Sequence, residues 1–370
     1  MKKFLITAAT AFVALACTQN IVAPETFEGR EINFNTVTRL ATKAPITGTT
    51  YSYNCPSFGV FAWYLASGNW NTAAANSSAV SYMDDVEISF DDTKDIWVPE
   101  DTYYWPLQGK LTFIAYSPKS AANATFSNAG VLTLTNFTVN TTVANQVDLL
   151  YSSIAADKTQ NEDYYEDSDN SKDSETAEGD KGVNIKFKHA LSQVIFKAKT
   201  ADDVYDAGLS FKVDSISVNA ASTATSMTVT NPTDAQLASA ITTWNSPSSN
   251  LDFDARVTAF PEAANTYLTK TLSDPIGDAL LMIPVTAFAA TDPSVTIKYT
   301  LYRLSDNQNL GSKKVTIKFD DIDDVVTNWE AGKKYVYNLT IDLQKIYFNP
   351  TITDWADGGS QDVDVPDDAS

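Results

Sequence analysis

The sequence predicts an all-β protein made of two antiparallel β-sandwich domains, and three features carry that expectation. Apolar and polar residues alternate with period two through most of the chain, while helical periodicity is scarce. One strongly acidic stretch separates the alternating segments into two groups, each large enough for a domain. Of 370 residues, 44% are apolar and 11% aromatic, enough for sizeable cores on both sides of that stretch.

The first element is a secretory signal. Met1-Lys2-Lys3 is a basic start, residues 4–16 are an uncharged apolar-rich run, and Ala14-Leu15-Ala16-Cys17 places a cysteine after small residues. A membrane-spanning helix needs about 20 apolar residues, so this shorter run reads as a signal peptide. Leu15 lies two positions before Cys17, with Ala14 where lipobox sites prefer leucine. The expectation is export, acylation of Cys17 and loss of residues 1–16; ordinary signal-peptidase cleavage nearby is the alternative. Either route takes the chain out of the cytoplasm.

Residues 17–44 form a leader. Within it Ile32, Phe34, Thr36 and Thr38 alternate with Asn33 and Asn35, so residues 31–38 can pair as a strand with Ile32 and Phe34 inward. An N-terminal domain is expected over residues 45–180, with strands at 86–90, 111–116 and 131–139. It ends in an acidic loop, residues 157–181, which has nine Asp and Glu residues between Glu162 and Asp180 and few apolar ones. Such a segment buries too little to order itself.

The C-terminal domain is expected over residues 181–348. Val183, Ile185 and Phe187 alternate with Asn184, Lys186 and Lys188. Val295, Ile297, Tyr299 and Leu301 repeat the pattern, as do Val315, Ile317 and Phe319. Tyr335, Tyr337, Leu339, Ile341 and Leu343 close the series. Further strands are expected at 191–199, 209–219 and 280–283. The apolar phase flips between Val213 and Ile216, which predicts a bulge. Leu237, Ala240, Ile241 and Trp244 have helical spacing, with Thr233 or Asp234 as cap, and predict one short crossover helix. Residues 349–370 are a tail.

Composition narrows the chemistry. The formal charge is −20, becoming −22 once Lys2 and Lys3 leave with the signal. A nucleic-acid partner requires a basic face and is excluded. If Cys17 carries lipid, Cys55 has no partner for a disulfide, and it reads as a small buried residue. The single histidine, His189, lies between two expected strands and reads as a hydrogen-bonded structural residue. One histidine and one unpaired cysteine leave no zinc site and no Cys–His nucleophile. No Gly-rich phosphate loop or Gly-x-Ser-x-Gly elbow occurs. No enzyme activity, catalytic residue, cofactor or metal site is expected. Asp167, Asp169, Ser171, Glu175 and Glu178 match a calcium-loop register, but Lys172 stands where the turn needs glycine, so this region reads as a solvated loop.

Four arginines occur, Arg30, Arg39, Arg256 and Arg303. The last two lie in or beside expected strands, while the first two lie in the leader. An Arg-specific protease is therefore expected to cut at the leader and almost nowhere else.

Several motifs, taken in order, resemble the fimbrillins of type V pili, in particular the Mfa-like fimbrillins. They are Ile32-Asn33-Phe34 with Thr38-Arg39, Tyr104-Trp105-Pro106, and Lys110-Leu111-Thr112-Phe113-Ile114-Ala115-Tyr116-Ser117-Pro118. Val147-Asp148-Leu149-Leu150-Tyr151 and Phe187-Lys188-His189-Ala190-Leu191-Ser192-Gln193-Val194 follow. Trp329-Glu330-Ala331-Gly332-Lys333-Lys334-Tyr335 and Ile352-Thr353-Asp354-Trp355 complete the set.

The resemblance implies Greek-key, transthyretin-like sandwiches. It implies a structural and adhesive pilus subunit, exported to the outer membrane as a lipoprotein and displayed in fimbriae on the cell surface. The implied partners are other pilus subunits, an Arg-specific protease, the outer membrane through the precursor's lipid, and a host or bacterial surface ligand. Carried onto this chain, Arg39 is the preferred cleavage site and Arg30 the weaker one, because only the cut after Arg39 removes the strand holding Ile32, Phe34, Thr36 and Thr38. The donor segment would come from residues 347–355, with Ile352 and Trp355, or from Asp362-Val363-Asp364-Val365. Pro350 is expected to interrupt a ladder in the first of these. The alternative is a non-polymerising surface lipoprotein that binds glycan through Trp63, Tyr64, Trp70, Tyr103, Tyr104 and Trp105.

Overall fold

Alternating residues place one face of each strand in a core, and the computed structural model builds almost every expected alternation into a sheet. It describes residues 26–38, 57–71, 76–93, 96–159, 182–233, 242–288, 293–322 and 326–355. The expected lipid site Cys17, Cys55, residues 160–181 of the acidic loop with its calcium-like register, and Val363 and Val365 lie outside these residues, while Asp157 and Lys158 at the loop's expected start belong to a strand.

Two leader strands come first, β1 (Thr26–Glu31) and β2 (Phe34–Thr38). The N-terminal half continues with β3 (Phe58–Leu65), β4 (Val80–Asp91), β5 (Ile96–Pro99), β6 (Tyr104–Pro106) and β7 (Lys110–Ser117). Then follow β8 (Asn123–Phe126), β9 (Val131–Thr135), β10 (Leu150–Ser152), β11 (Ala155–Lys158) and β12 (Val183–His189). The C-terminal half holds β13 (Ser192–Thr200), the short helix α1 (Asp202–Asp206), β14 (Leu209–Thr223), β15 (Ser226–Thr230) and β16 (Thr242–Asn245). It ends with β17 (Ser248–Arg256), β18 (Leu280–Met282), β19 (Ser294–Arg303), β20 (Gln308–Lys318), β21 (Lys333–Ile341) and β22 (Ile346–Asp354).

The largest sheet runs β10-β12-β2-β5-β4-β3-β7-β11, and β10 also pairs with β7. The pairing therefore closes into a ring of seven strands, which leaves the ring no open edge while β2 is in place. Inside it lie Phe58, Val60, Phe113, Val183 and Ile185, all fully buried. The C-terminal half stacks β18-β13-β21-β22 on β17-β14-β19-β20, with Phe196, Tyr337, Phe211 and Ile297 in one shared core. A third sheet, β8-β9-β15-β16, takes two strands from each half, and the same core extends through it to Phe61 and Tyr116.

Several expectations need correction. Pairing does not change partners at residue 181. β12 belongs to the N-terminal ring, and the switch to the C-terminal sheets falls between His189 and Ser192. The acidic stretch marks a composition change, whereas the change of sheet partners comes at residues 190–191. Two pairings are parallel, β12 with β2 and β13 with β21, which period-two alternation cannot distinguish from antiparallel ones. Trp244 lies on strand β16, where it pairs with Met227, and residues 234–241 of the expected helix lie outside the described set. Pro350 sits opposite Tyr337 within a register that runs without shift from Lys333↔Asp354 to Ile341↔Ile346. β22 is an edge strand, and edge strands tolerate a residue that cannot donate. The expected bulge is present, because the β14–β19 register shifts between Val213 and Ser215.

Candidate functional site

The leader strand occupies a slot in the closed ring. β2 runs parallel to β12, from Phe34 opposite Val183 to Thr38 opposite Phe187. On its other side it meets β5 through a single pair, Phe34 with Trp97. Backbone bonds fasten the entry: the Ile32 amide donates to the Tyr103 carbonyl at 2.8 Å, and the Val183 amide donates to Asn33 at 2.8 Å. β1 continues outside the ring and pairs with β6, placing Thr26 opposite Pro106 and Glu31 opposite Tyr104.

The inward residues are the two that alternation singled out. Ile32 is 0% exposed and Phe34 1%. The Phe34 ring meets Phe113 edge-on at 5.7 Å and Phe58 at 6.3 Å. Phe58 in turn touches Trp97 at 5.1 Å and Phe187 at 5.5 Å. Each of these large side chains contributes roughly 1.5–3 kcal/mol by leaving water, and the edge-on rings add to that. Without β2, the slot would be an apolar trough between one open edge of β12, still paired to β10, and one open edge of β5, still paired to β4. Such an edge accepts a strand from another chain.

The expected site residues fall in different places. Thr36 and Thr38 lie in β2 opposite Ile185 and Phe187. Arg30 lies in β1, and Arg39 lies one residue past β2, outside the described set. Arg256 ends β17 and donates to Thr258 and Glu262, while Arg303 pairs with Asp306. Ile352 lies opposite Tyr335 in β22. The aromatics considered as a glycan platform are largely core: Trp105, Trp70 and Tyr64 are buried. Among the described residues, no cluster of His, Cys, Asp and Glu could hold a metal.

One constellation combines motifs that sequence reading treated separately. His189 Nδ1 lies 2.8 Å from Asp148 Oδ2, and the His189 ring stacks on Trp355 at 4.0 Å and 11°. Asp148 is 2% exposed on its side chain and Trp355 is buried. The Trp355 amide donates to Gly332, and the Gly332 amide donates to Leu191. The C-terminal strand is thus anchored at the end of β12, the strand that also forms one wall of the leader slot. Nothing in sequence spacing brings residues 148, 189 and 355 together; their recurrence in separate family-like motifs was the only signal.

Comparison with known proteins gives the family and the fold. The family model for fimbrillin-like proteins, Mfa-like, matches residues 42–355, and the chain belongs to that family. It is 26% identical over 406 residues to the fimbrium subunit Fim1C of Phocaeicola vulgatus, with 99% of both chains covered. A crystal structure of a fimbrial protein from Bacteroides vulgatus superposes with a TM-score of 0.56 at 20% identity, covering 88% of this chain and all of that one.

Proposed function

We propose that this protein is a structural subunit of cell-surface fimbriae, assembled by strand exchange after its leader is removed. The observation that carries the reading is the slot: a leader buried at Ile32, just before β2, and at Phe34 within it, with β2 completing a ring that its loss would open. The precursor is exported and lipidated at Cys17, which holds it at the outer membrane. An Arg-specific protease then cuts after Arg39, and less readily after Arg30. The family match starts at residue 42, just past Arg39, in keeping with a leader separable from the body.

The donor is a C-terminal segment of another subunit. β22 is paired with β21 over nine positions of its own subunit, and Trp355 is buried against His189. Donation by Ile352 and Trp355 would first require breaking that ladder. This favours the segment beyond Trp355, where Val363 and Val365 alternate with aspartates. Its residues 356–370 span at most about 50 Å when extended, ample for a five-residue strand like β2.

The test is a pair of variants of the full chain. Arg39→Ala should stay monomeric under an Arg-specific protease that converts the wild type to multimers. Val363→Asp with Val365→Asp should be cleaved normally and still fail to polymerise. Polymerisation of the tail variant would exclude that segment as donor, and monomers from cleaved wild type would favour a non-polymerising surface adhesin.

A further inference from the structure

In the C-terminal half, β16 and the segments around residues 285 and 329 enclose a cavity of about 300 Å³. That volume lies at the lower end of the range for small-molecule sites. Its lining includes Thr242, Trp244, Thr286, Asn328, Trp329 and Glu330.

The walls are held by bonds that leave the lining side chains available. Val285 and Trp329 exchange both backbone bonds at 2.9 Å. The Glu330 amide donates to the Tyr335 hydroxyl at 2.8 Å, and the Glu330 carbonyl accepts from Ser192 Oγ at 2.9 Å. The Trp244 indole N–H donates to the Ala190 carbonyl at 3.1 Å, and the Trp329 N–H to the Tyr337 hydroxyl at 2.9 Å. Both indoles have therefore used their one donor, and what Trp244 offers a ligand is flat apolar ring surface. The Glu330 carboxylate and the Asn328 amide have no hydrogen-bond partner among the described residues, and Thr242 donates only to Tyr151.

No lysine, arginine or histidine lines the cavity, so a phosphate, sulfate or carboxylate ligand has no counter-charge there. A flat apolar ring beside a carboxylate, an amide and hydroxyls suits a molecule with one C–H face and several hydroxyl donors. We propose that this cavity is a binding site for one or two rings of a neutral sugar. Its lining shares no residue with the leader slot.

The experiment uses the full chain with the methyl glycosides of galactose, glucose and mannose, read by saturation-transfer NMR and titration calorimetry. At least one glycoside should bind with Kd on the order of 1 mM, with saturation strongest on its ring C–H protons. Glu330→Gln and Asn328→Ala should each weaken binding roughly tenfold, as expected for a lost hydrogen bond to a ligand hydroxyl. Trp244→Ala should abolish it, and Trp244→Phe, which keeps an apolar ring, should restore part of it. Absence of saturation with all three glycosides would overturn the proposal. So would binding unchanged in Trp244→Ala and Glu330→Gln, or a site that takes tetramethylammonium in preference to every glycoside.

Discussion

Phe34 and His189 each make contacts that carry a testable claim. Phe34 fills the slot between Phe58 and Phe113. Phe34→Ala should therefore cost the uncut chain about 3–5 kcal/mol, measured as a shift in urea midpoint. The same substitution should have no effect on the body left after cleavage at Arg39. His189 gives Asp148 its hydrogen bond and Trp355 its stacking surface. His189→Ala leaves a buried carboxylate without that donor and should cost about 3 kcal/mol, with Trp355 fluorescence shifting toward that of an exposed indole. Phe34 was legible because alternation along one segment says which side chains face inward. The His189 contacts were not, because burial patterns assign a face and never a partner from another part of the chain.

At the scale of elements, strand existence was read well and strand partnership poorly. The β14 bulge was visible because a phase flip is a local property, and Val213 and Ile216 both end buried. The parallel seating of β2 on β12 depends on where two distant segments meet. Gly59 on β3 illustrates a close approach of the same kind: a Cβ there would lie 2.3 Å from the Tyr116 ring on β7. Gly59→Ala should thus destabilise the ring by about 1–3 kcal/mol through overpacking, seen as a lower Tm. The strand β10 adds a pH dependence. Burial pushes the Tyr151 phenol from its ordinary 10.0 up to about 12, and burial also raises Tyr335 and Tyr116. A raised value favours the neutral phenol in the folded state, so its contribution is complete below pH 10 and is lost as pH climbs through about 12. Tm should fall across that window, and Tyr151→Phe should make the fall shallower.

For the whole molecule, the fold class was legible from composition and alternation, while the point where the chain changes sheets was not. The acidic stretch looked like a boundary, yet β12 beyond it completes the N-terminal ring, and the third sheet interleaves both halves. The slot and the C-terminal strand are likewise connected, with β12 touching both the leader and, through His189, Trp355. A subunit built this way would keep its own C-terminal strand paired and would gain an empty slot if the leader were removed. The most direct measurement is limited digestion of the chain from Thr18 onward with an Arg-specific protease, followed by intact mass and size-exclusion chromatography. The account predicts a single cut after Arg39, loss of the leader peptide, and conversion of monomers to stable multimers. Resistance at Arg39, or a body that stays monomeric after the leader has left, would contradict it.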